Sequence, residues 1–136
     1  MSKILVIDDK ESLRALLRYA LGNGYVVLEA RDGREGYEMF KSYNPDLIIT
    51  DLTMPVMTGI EFVKKVRAVN ADVWIIALSS SFHDQDEKSA MLSAGADICL
   101  LKPIALSFLE LIVTHLLNIK RVDAEREAEI LESLNA

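Results

Sequence analysis

The sequence of 136 residues contains a single cysteine, Cys99, which excludes an internal disulfide framework. An unpaired thiol is typical of proteins kept in a reducing compartment, and it predicts a cytoplasmic location. No uncharged apolar run approaches the roughly 20 residues needed to cross a bilayer, so we predict no membrane partner. Positive charge is also scarce: 15 lysines and arginines stand against 21 acidic residues, and the net charge is −6. That balance argues against direct binding to nucleic acid, which requires a basic surface.

Five short apolar runs predict buried strands, and each is followed by a stretch with helical periodicity. Runs without alternating polar residues are typical of strands buried on both faces, as in a parallel sheet covered by helices. We therefore predict an α/β fold, a doubly wound five-stranded parallel sheet with helices on both faces. The predicted strands are Lys3–Ile7, Tyr25–Ala30, Asp46–Thr50, Val73–Leu78 and Ile98–Leu101.

The first helical stretch begins near Glu11, directly after two acidic residues. Its apolar residues recur with the spacing of one helical face, which predicts that they are buried together. Asp9 precedes this helix and has two interpretations, as a member of a functional site or as a helix N-cap. The residues predicted to face the core are Leu13, Leu16, Leu17, Ala20 and Leu21.

The ends of the predicted strands carry side chains suited to phosphoryl chemistry. In a parallel sheet the carboxyl ends of all strands lie at one edge, where open α/β sheets place their functional sites. Four of the five strands contribute polar side chains there, from segments far apart in the sequence. These side chains are Asp8 and Asp9, Asp51, Ser79 and Ser80, and Lys102.

Carboxylates brought together at one edge repel each other unless a cation compensates their charge. A few carboxylate oxygens with room for water suit Mg²⁺, which is the cofactor we predict. Lys102 and a serine hydroxyl are then available to hold a phosphoryl group. Asp51 remains as a nucleophile, whose attack on phosphorus would give an acyl phosphate.

The sequence resembles the receiver domains of two-component response regulators, which are CheY-like proteins. The resemblance is carried by ILVIDD (residues 4–9), PDLIITDLTMPVMTGIE (45–61) and GADICLLKP (95–103), and it runs from about residue 3 to residue 119. It implies a flavodoxin-like sheet of order 2-1-3-4-5. It also implies a receiver domain over residues 1–119, followed by a helical extension or linker toward an output domain over residues 120–136.

The resemblance assigns a role to each residue at this edge. It implies that Asp51 is the phosphoacceptor, that Lys102 contacts the phosphoryl group and that Pro103 follows a cis peptide bond. The implied partners are a sensor histidine kinase or phosphotransfer protein and a downstream output domain or protein. The implied activity is a switch that assists only its own Mg²⁺-dependent phosphorylation and dephosphorylation. The implied metal ligands are Asp8, Asp9, Asp51 and the backbone carbonyl of Thr53.

Two positions depart from the family pattern. The strand frame from Val73 favours Ser79 as the switch hydroxyl, whereas the interval to Lys102 favours Ser80, and we prefer Ser79 because loops absorb insertions. Cys99 occupies the position where the family usually carries the tyrosine or phenylalanine of the switch. The route from the phosphoacceptor to the output surface is therefore expected to differ at Cys99.

Two alternative functions remain open from the sequence. One is a Mg²⁺-dependent phosphatase with an aspartate nucleophile, although such enzymes typically carry a second aspartate where this chain has Thr53. The other is a degenerate receiver that acts only as a binding module, which the complete acidic set argues against. A nucleotide or flavin binder is disfavoured because no glycine-rich phosphate loop follows the first strand.

Overall fold

A computed structural model describes residues 1–80, 85–119 and 131–135 of the chain. Within these ranges, five parallel strands form one sheet of order β2-β1-β3-β4-β5, and five helices longer than two turns cover it. The predicted fold class and strand order are confirmed. The strands are β1 (Lys3–Ile7), β2 (Val26–Ala30), β3 (Leu47–Asp51), β4 (Trp74–Ser79) and β5 (Ile98–Leu101). The helices are α1 (Glu11–Leu21), α2 (Gly33–Tyr43), α3 (Gly59–Val69), α4 (Gln85–Ala94) and α5 (Leu106–Asn118).

Two hydrophobic clusters cover the two faces of the sheet. α1 and α5 pack on one face, where Leu17 and Val113 are fully buried. α2, α3 and α4 pack on the other, with Phe40, Phe62 and Met91 in that core. Burial on both faces explains why the strand sequences are continuously apolar rather than alternating.

Polar side chains cap the N-termini of two helices. These caps define where each helix begins, which the spacing of apolar residues alone does not. Asp32 caps α2 by accepting a hydrogen bond from the Glu35 backbone N–H at 2.9 Å. Thr58 caps α3 by accepting one from the Glu61 N–H at 3.2 Å. Each cap satisfies a backbone donor that the first turn of a helix leaves unpaired.

The predicted buried face of α1 is wrong at one position. Leu16 is 45% exposed, whereas Arg14 on the same helix is only 7% exposed. α1 is oriented so that the Arg14 side chain reaches the end of β1. There it contacts the backbone oxygen of Asp8 and the carboxylates of Glu11 and Glu29. The N-cap of α1 is Lys10 rather than Asp9, so Asp9 is left for another role.

The tail carries one helical piece within the described residues. Residues 131–135 are helical, and the rest of the predicted extension over residues 120–136 lies outside the described part of the chain. Among the helices that are described, none combines the length and apolar character that a bilayer crossing requires.

Gly59 allows the loop after β3 to close against its own strand. A Cβ atom at this position would lie 2.4 Å from the backbone oxygen of Asp51 and 2.9 Å from the Cα of Leu52. These are backbone atoms, which cannot rotate away. The Gly59 N–H also donates to the Leu52 carbonyl at 2.9 Å, which fixes the path of the chain as it leaves Asp51.

We predict that Gly59→Ala lowers the free energy of unfolding by about 1–3 kcal/mol, because the added methyl group overpacks this turn. Gly24→Ala is the matched control, since a Cβ there meets no atom within 4 Å. Its effect should stay within about 1 kcal/mol and can be stabilising. Urea denaturation of the three proteins measures both changes. Equal stabilities of the two variants would contradict the close approach at Gly59.

Candidate functional site at the carboxyl edge of the sheet

The structure brings the three predicted aspartates together. Asp51 is the last residue of β3 and Asp8 follows β1 directly; both are buried, while Asp9 is exposed. One carboxylate oxygen from each residue lies within 4.8 Å of the others. β1 and β3 are neighbours in the sheet, so the strand pairing itself sets the distance between Asp8 and Asp51.

Lys102 provides the cation of this edge. Its Nζ lies 2.9 Å from Oδ2 of Asp8 and 3.5 Å from Oδ2 of Asp51. Its backbone N–H donates to the Ser79 carbonyl at 2.7 Å, which anchors the end of β5 to the end of β4. Lys102 therefore lies at the predicted edge, and its single positive charge offsets part of the negative charge of two carboxylates from different strands.

Burial shapes the charge state of both partners. Burial raises the pKa of Asp51 above its ordinary value of 3.8. The positive charge of Lys102 lowers this pKa, whereas the negative charge of Asp8 raises it further, and the net pKa of Asp51 is raised. Burial alone lowers the pKa of Lys102. The hydrogen bond to Asp8 and the charges of both aspartates outweigh it, so the net pKa of Lys102 is raised. The ammonium form is thereby favoured at this edge.

Hydrogen bonds from Lys10 and Arg14 fix the position of Asp8. Its Oδ1 accepts from the Lys10 N–H at 2.9 Å, and its backbone oxygen accepts from Nη1 of Arg14 at 2.6 Å. The Arg14 guanidinium also pairs with Glu11 and, at 3.5 Å, with Glu29. Arg14 was missed in the sequence, because a charged residue inside an amphipathic helix is ordinarily assigned to solvent.

The two serines occupy different environments. Ser79 is the last residue of β4 and is 4% exposed, whereas Ser80 is exposed. Ser80 lines an apolar cavity of about 370 Å³, which also borders Lys102 and includes the exposed Leu16. A buried strand end beside Lys102 is compatible with our preference for Ser79, and the choice between the serines stays a prediction.

Two further predicted positions lie next to the site. The Lys102–Pro103 peptide bond is cis, in agreement with the prediction. Thr53 is exposed, and it follows Asp51 by two residues in the loop after β3. The predicted use of the Thr53 carbonyl as a metal ligand stays a prediction.

Cys99 lies away from the acidic edge, in the middle of β5 opposite Ala77. It is 3% exposed, and burial raises its pKa to about 12. The thiol is therefore protonated and inert at neutral pH. Cys99 packs in the cluster that also contains Met91 of α4, so the site of the usual switch aromatic is filled by a small buried side chain.

The donor set of this edge fits a hard divalent cation. Asp8, Asp9 and Asp51 offer only carboxylate oxygens, and the exposure of Asp9 leaves one side open to water. Ions such as Mg²⁺ bind through one or two carboxylates while keeping several waters. The acidic cluster thus has the chemistry of a site for a divalent cation.

Comparison with known proteins places the chain in a family. Residues 4–114 match the family model of the response regulator receiver domain. The chain is 40% identical over 105 residues to response regulator MprA of Mycolicibacterium vanbaalenii, covering 76% of this chain and 45% of the relative. It is 37% identical over 102 residues to chemotaxis protein CheY of Halobacterium salinarum, covering 74% and 84% respectively.

Solved structures agree with this assignment. The chemotaxis response regulator CheY4 of Vibrio cholerae superposes with a TM-score of 0.77 at 34% identity, covering 85% of this chain and 98% of that chain. The chain belongs to the response regulator receiver family, whose members are phosphorylation-dependent signalling switches that interact with histidine kinases and downstream effectors. It spans about half the length of the MprA relatives it matches.

We predict that Arg14→Ala lowers the free energy of unfolding by about 2 kcal/mol, because a buried charged hydrogen-bond donor to Asp8 is lost. Arg18→Ala is the matched control on the same helix. Arg18 shares Glu29 with Arg14, but its side chain is 50% exposed. The control change should be much smaller, since exposed ion pairs contribute little. Similar losses in the two variants, measured by urea denaturation, would contradict the structural role of Arg14.

The raised pKa of Asp51 gives a pH-dependent prediction. The pKa of Asp51 is higher in the folded chain than in the unfolded chain. Ionisation of Asp51 therefore lowers the free energy of unfolding, and the full loss is present above the folded-state pKa. Asp51→Asn should therefore raise the melting temperature at pH 7 without divalent ions. The gain should shrink as the pH falls from the raised folded-state pKa to the ordinary value of 3.8, since the wild-type carboxyl also becomes neutral there.

Thermal melts of wild type and Asp51→Asn between pH 7 and pH 3.5 test this sign. Glu110→Gln is the control, because it removes one negative charge at an exposed position of α5. A lower melting temperature for Asp51→Asn at pH 7, or a gain that grows on acidification, would contradict the burial argument.

Proposed function

We propose that Asp51 is the phosphoacceptor of this receiver domain and that Asp8, Asp9 and Asp51 bind Mg²⁺ together with the Thr53 carbonyl. The observation that carries the proposal is the position of Lys102, whose ammonium contacts Asp8 and Asp51 at 2.9 and 3.5 Å. A cation held against a buried carboxylate is well placed to stabilise the charge of a phosphoryl group added to it.

The phosphoryl donor is a sensor histidine kinase or a phosphotransfer protein. A carboxylate oxygen of Asp51 attacks phosphorus, the bond from phosphorus to the donor atom breaks, and an acyl phosphate forms on Asp51. Bound Mg²⁺ would supply neutralisation of phosphoryl charge, which is the main requirement of this transfer. The domain assists this step and the later hydrolysis and turns over no separate metabolite.

Two of this chain's own residues respond to the new group. Lys102 can exchange its contact with Asp51 for a phosphoryl oxygen, because its Nζ is already 3.5 Å from the accepting carboxylate. The hydroxyl of Ser79 can donate to another oxygen. The Lys102 N–H donates to the Ser79 carbonyl at 2.7 Å, so a shift of either residue is felt directly by the other.

The phosphorylated state acts on a downstream output domain or protein. The MprA relatives extend well beyond the matched region, since alignments over 128 residues cover 93% of this chain but about 55% of each relative. This supports the interpretation of residues 120–136 as an extension toward an output domain. Direct nucleic-acid binding by the receiver itself is disfavoured by the net charge of −6.

The decisive experiment is intact-mass analysis after incubation with Mg²⁺ and acetyl phosphate. We predict a single phosphoryl adduct on the wild type, which disappears in Asp51→Asn and when EDTA replaces Mg²⁺. Asp46→Asn is the matched control, because Asp46 is an exposed aspartate directly before the start of the same strand. It should retain the adduct. An adduct that persists in Asp51→Asn, or none on the wild type, would refute the assignment.

A further inference from the structure

The outer edge of β5 is covered by a segment distant in sequence. β5 is the last strand of the sheet order, so one side of its backbone has no neighbouring strand. Two backbone groups at the start of this edge, the Cys99 N–H and the carbonyl of Asp97 directly before β5, are hydrogen-bonded to the side chain of Asn135. Exposed strand edges invite pairing with other chains, and proteins commonly cover them.

The carboxamide of Asn135 reproduces the hydrogen bonding of one residue in a parallel strand. Its Oδ1 accepts from the Cys99 N–H, and its Nδ2 donates to the Asp97 oxygen at 2.9 Å. A residue opposite Ile98 in a parallel ladder would use its own backbone groups in the same way. The contact therefore satisfies a donor and an acceptor of the strand edge at once.

Apolar contacts complete this docking. Leu131 and Leu134 are three residues apart in the helical segment 131–135 and pack against the cluster formed by α1, α5 and the sheet. Together with four residues of α5, they enclose an apolar space of about 190 Å³; those residues are Leu111, Ile112, His115 and Leu116. Glu132 and Ser133 are exposed, so the segment is amphipathic with its leucines toward α5.

Arg67 of α3 binds the residues directly before β5. Its guanidinium binds the Asp97 carboxylate at 3.0 Å and the Gly95 carbonyl at 2.9 Å. Oδ2 of Asp97 also accepts from the Ile75 N–H at 2.9 Å. The start of β5 is therefore rigidly held, and Asn135 meets a fixed pair of backbone groups rather than a mobile loop.

We propose that the outer edge of β5 and the adjoining surface of α5 form an interaction surface for a short amphipathic helix with two leucines three residues apart and a following asparagine. Its occupant is the chain's own segment 131–135. A protein that pairs with β5, or packs on this part of α5, must first displace that segment. The surface is separate from the acidic edge, since Asn135 contacts the start of β5 and not its carboxyl end.

Amide hydrogen exchange of the full chain, followed by NMR, tests the proposal. The Cys99 amide should be protected in the wild type and should exchange about tenfold faster or more in Asn135→Ala, which removes the acceptor of that amide. Leu134→Asp should have the same effect by detaching the segment. Ser133→Ala is the control on the exposed side, and the Lys102 amide, bonded to Ser79, is the internal reference.

Several outcomes would overturn the proposal. One is a Cys99 amide that is unprotected in the wild type or unaffected by both variants. Another is faster exchange of the Lys102 amide as well, which would make the segment a part of global stability rather than a separable occupant. Protection that falls on dilution would show that a second copy supplies the segment. Each outcome is independent of whether Asp51 accepts a phosphoryl group.

Discussion

The contact of one ammonium group with two buried carboxylates is the constraint on which this site depends. Asp8 and Asp51 end neighbouring strands, and both are withdrawn from water. Without a cation, their mutual repulsion and desolvation would oppose the sheet pairing that brings them together. Lys102 resolves the conflict from a strand end 94 residues away from Asp8. The same ammonium group contacts Asp51, the residue that we propose as phosphoacceptor.

The surrounding structure serves to hold these groups in place. Arg14 fixes the backbone of Asp8 by a hydrogen bond to its carbonyl oxygen. Gly59 allows the loop after Asp51 to pack closely against β3. The bond between Lys102 and Ser79 ties the ends of β4 and β5 together. Most of the precision of the site therefore lies in backbone positions, which a parallel sheet supplies because all its strands end at one edge.

The residues of this edge could be predicted from the sequence because they follow directly after apolar runs that define the strands. Continuous apolar runs define parallel strands, and residues directly after such runs must meet, so Asp8, Asp51 and Lys102 follow from pattern alone. Leu16 was misplaced and Arg14 was missed, because periodicity ranks leucine as buried and arginine as exposed. Their actual positions depend on a carbonyl and on acids from other elements. The contacts of Asn135 depend on where the tail returns to the sheet, which no local pattern encodes.

The central claim is that Lys102 and a divalent cation compensate the same carboxylates. Calorimetric titration of Mg²⁺ into wild type and Lys102→Met at low ionic strength tests it most directly. Lys10→Met serves as the control, because Lys10 is exposed near the same edge. We predict that Lys102→Met binds Mg²⁺ at least about tenfold more tightly, since a competing positive charge is removed, while the control is little changed. Unchanged or weaker binding in Lys102→Met would contradict the account.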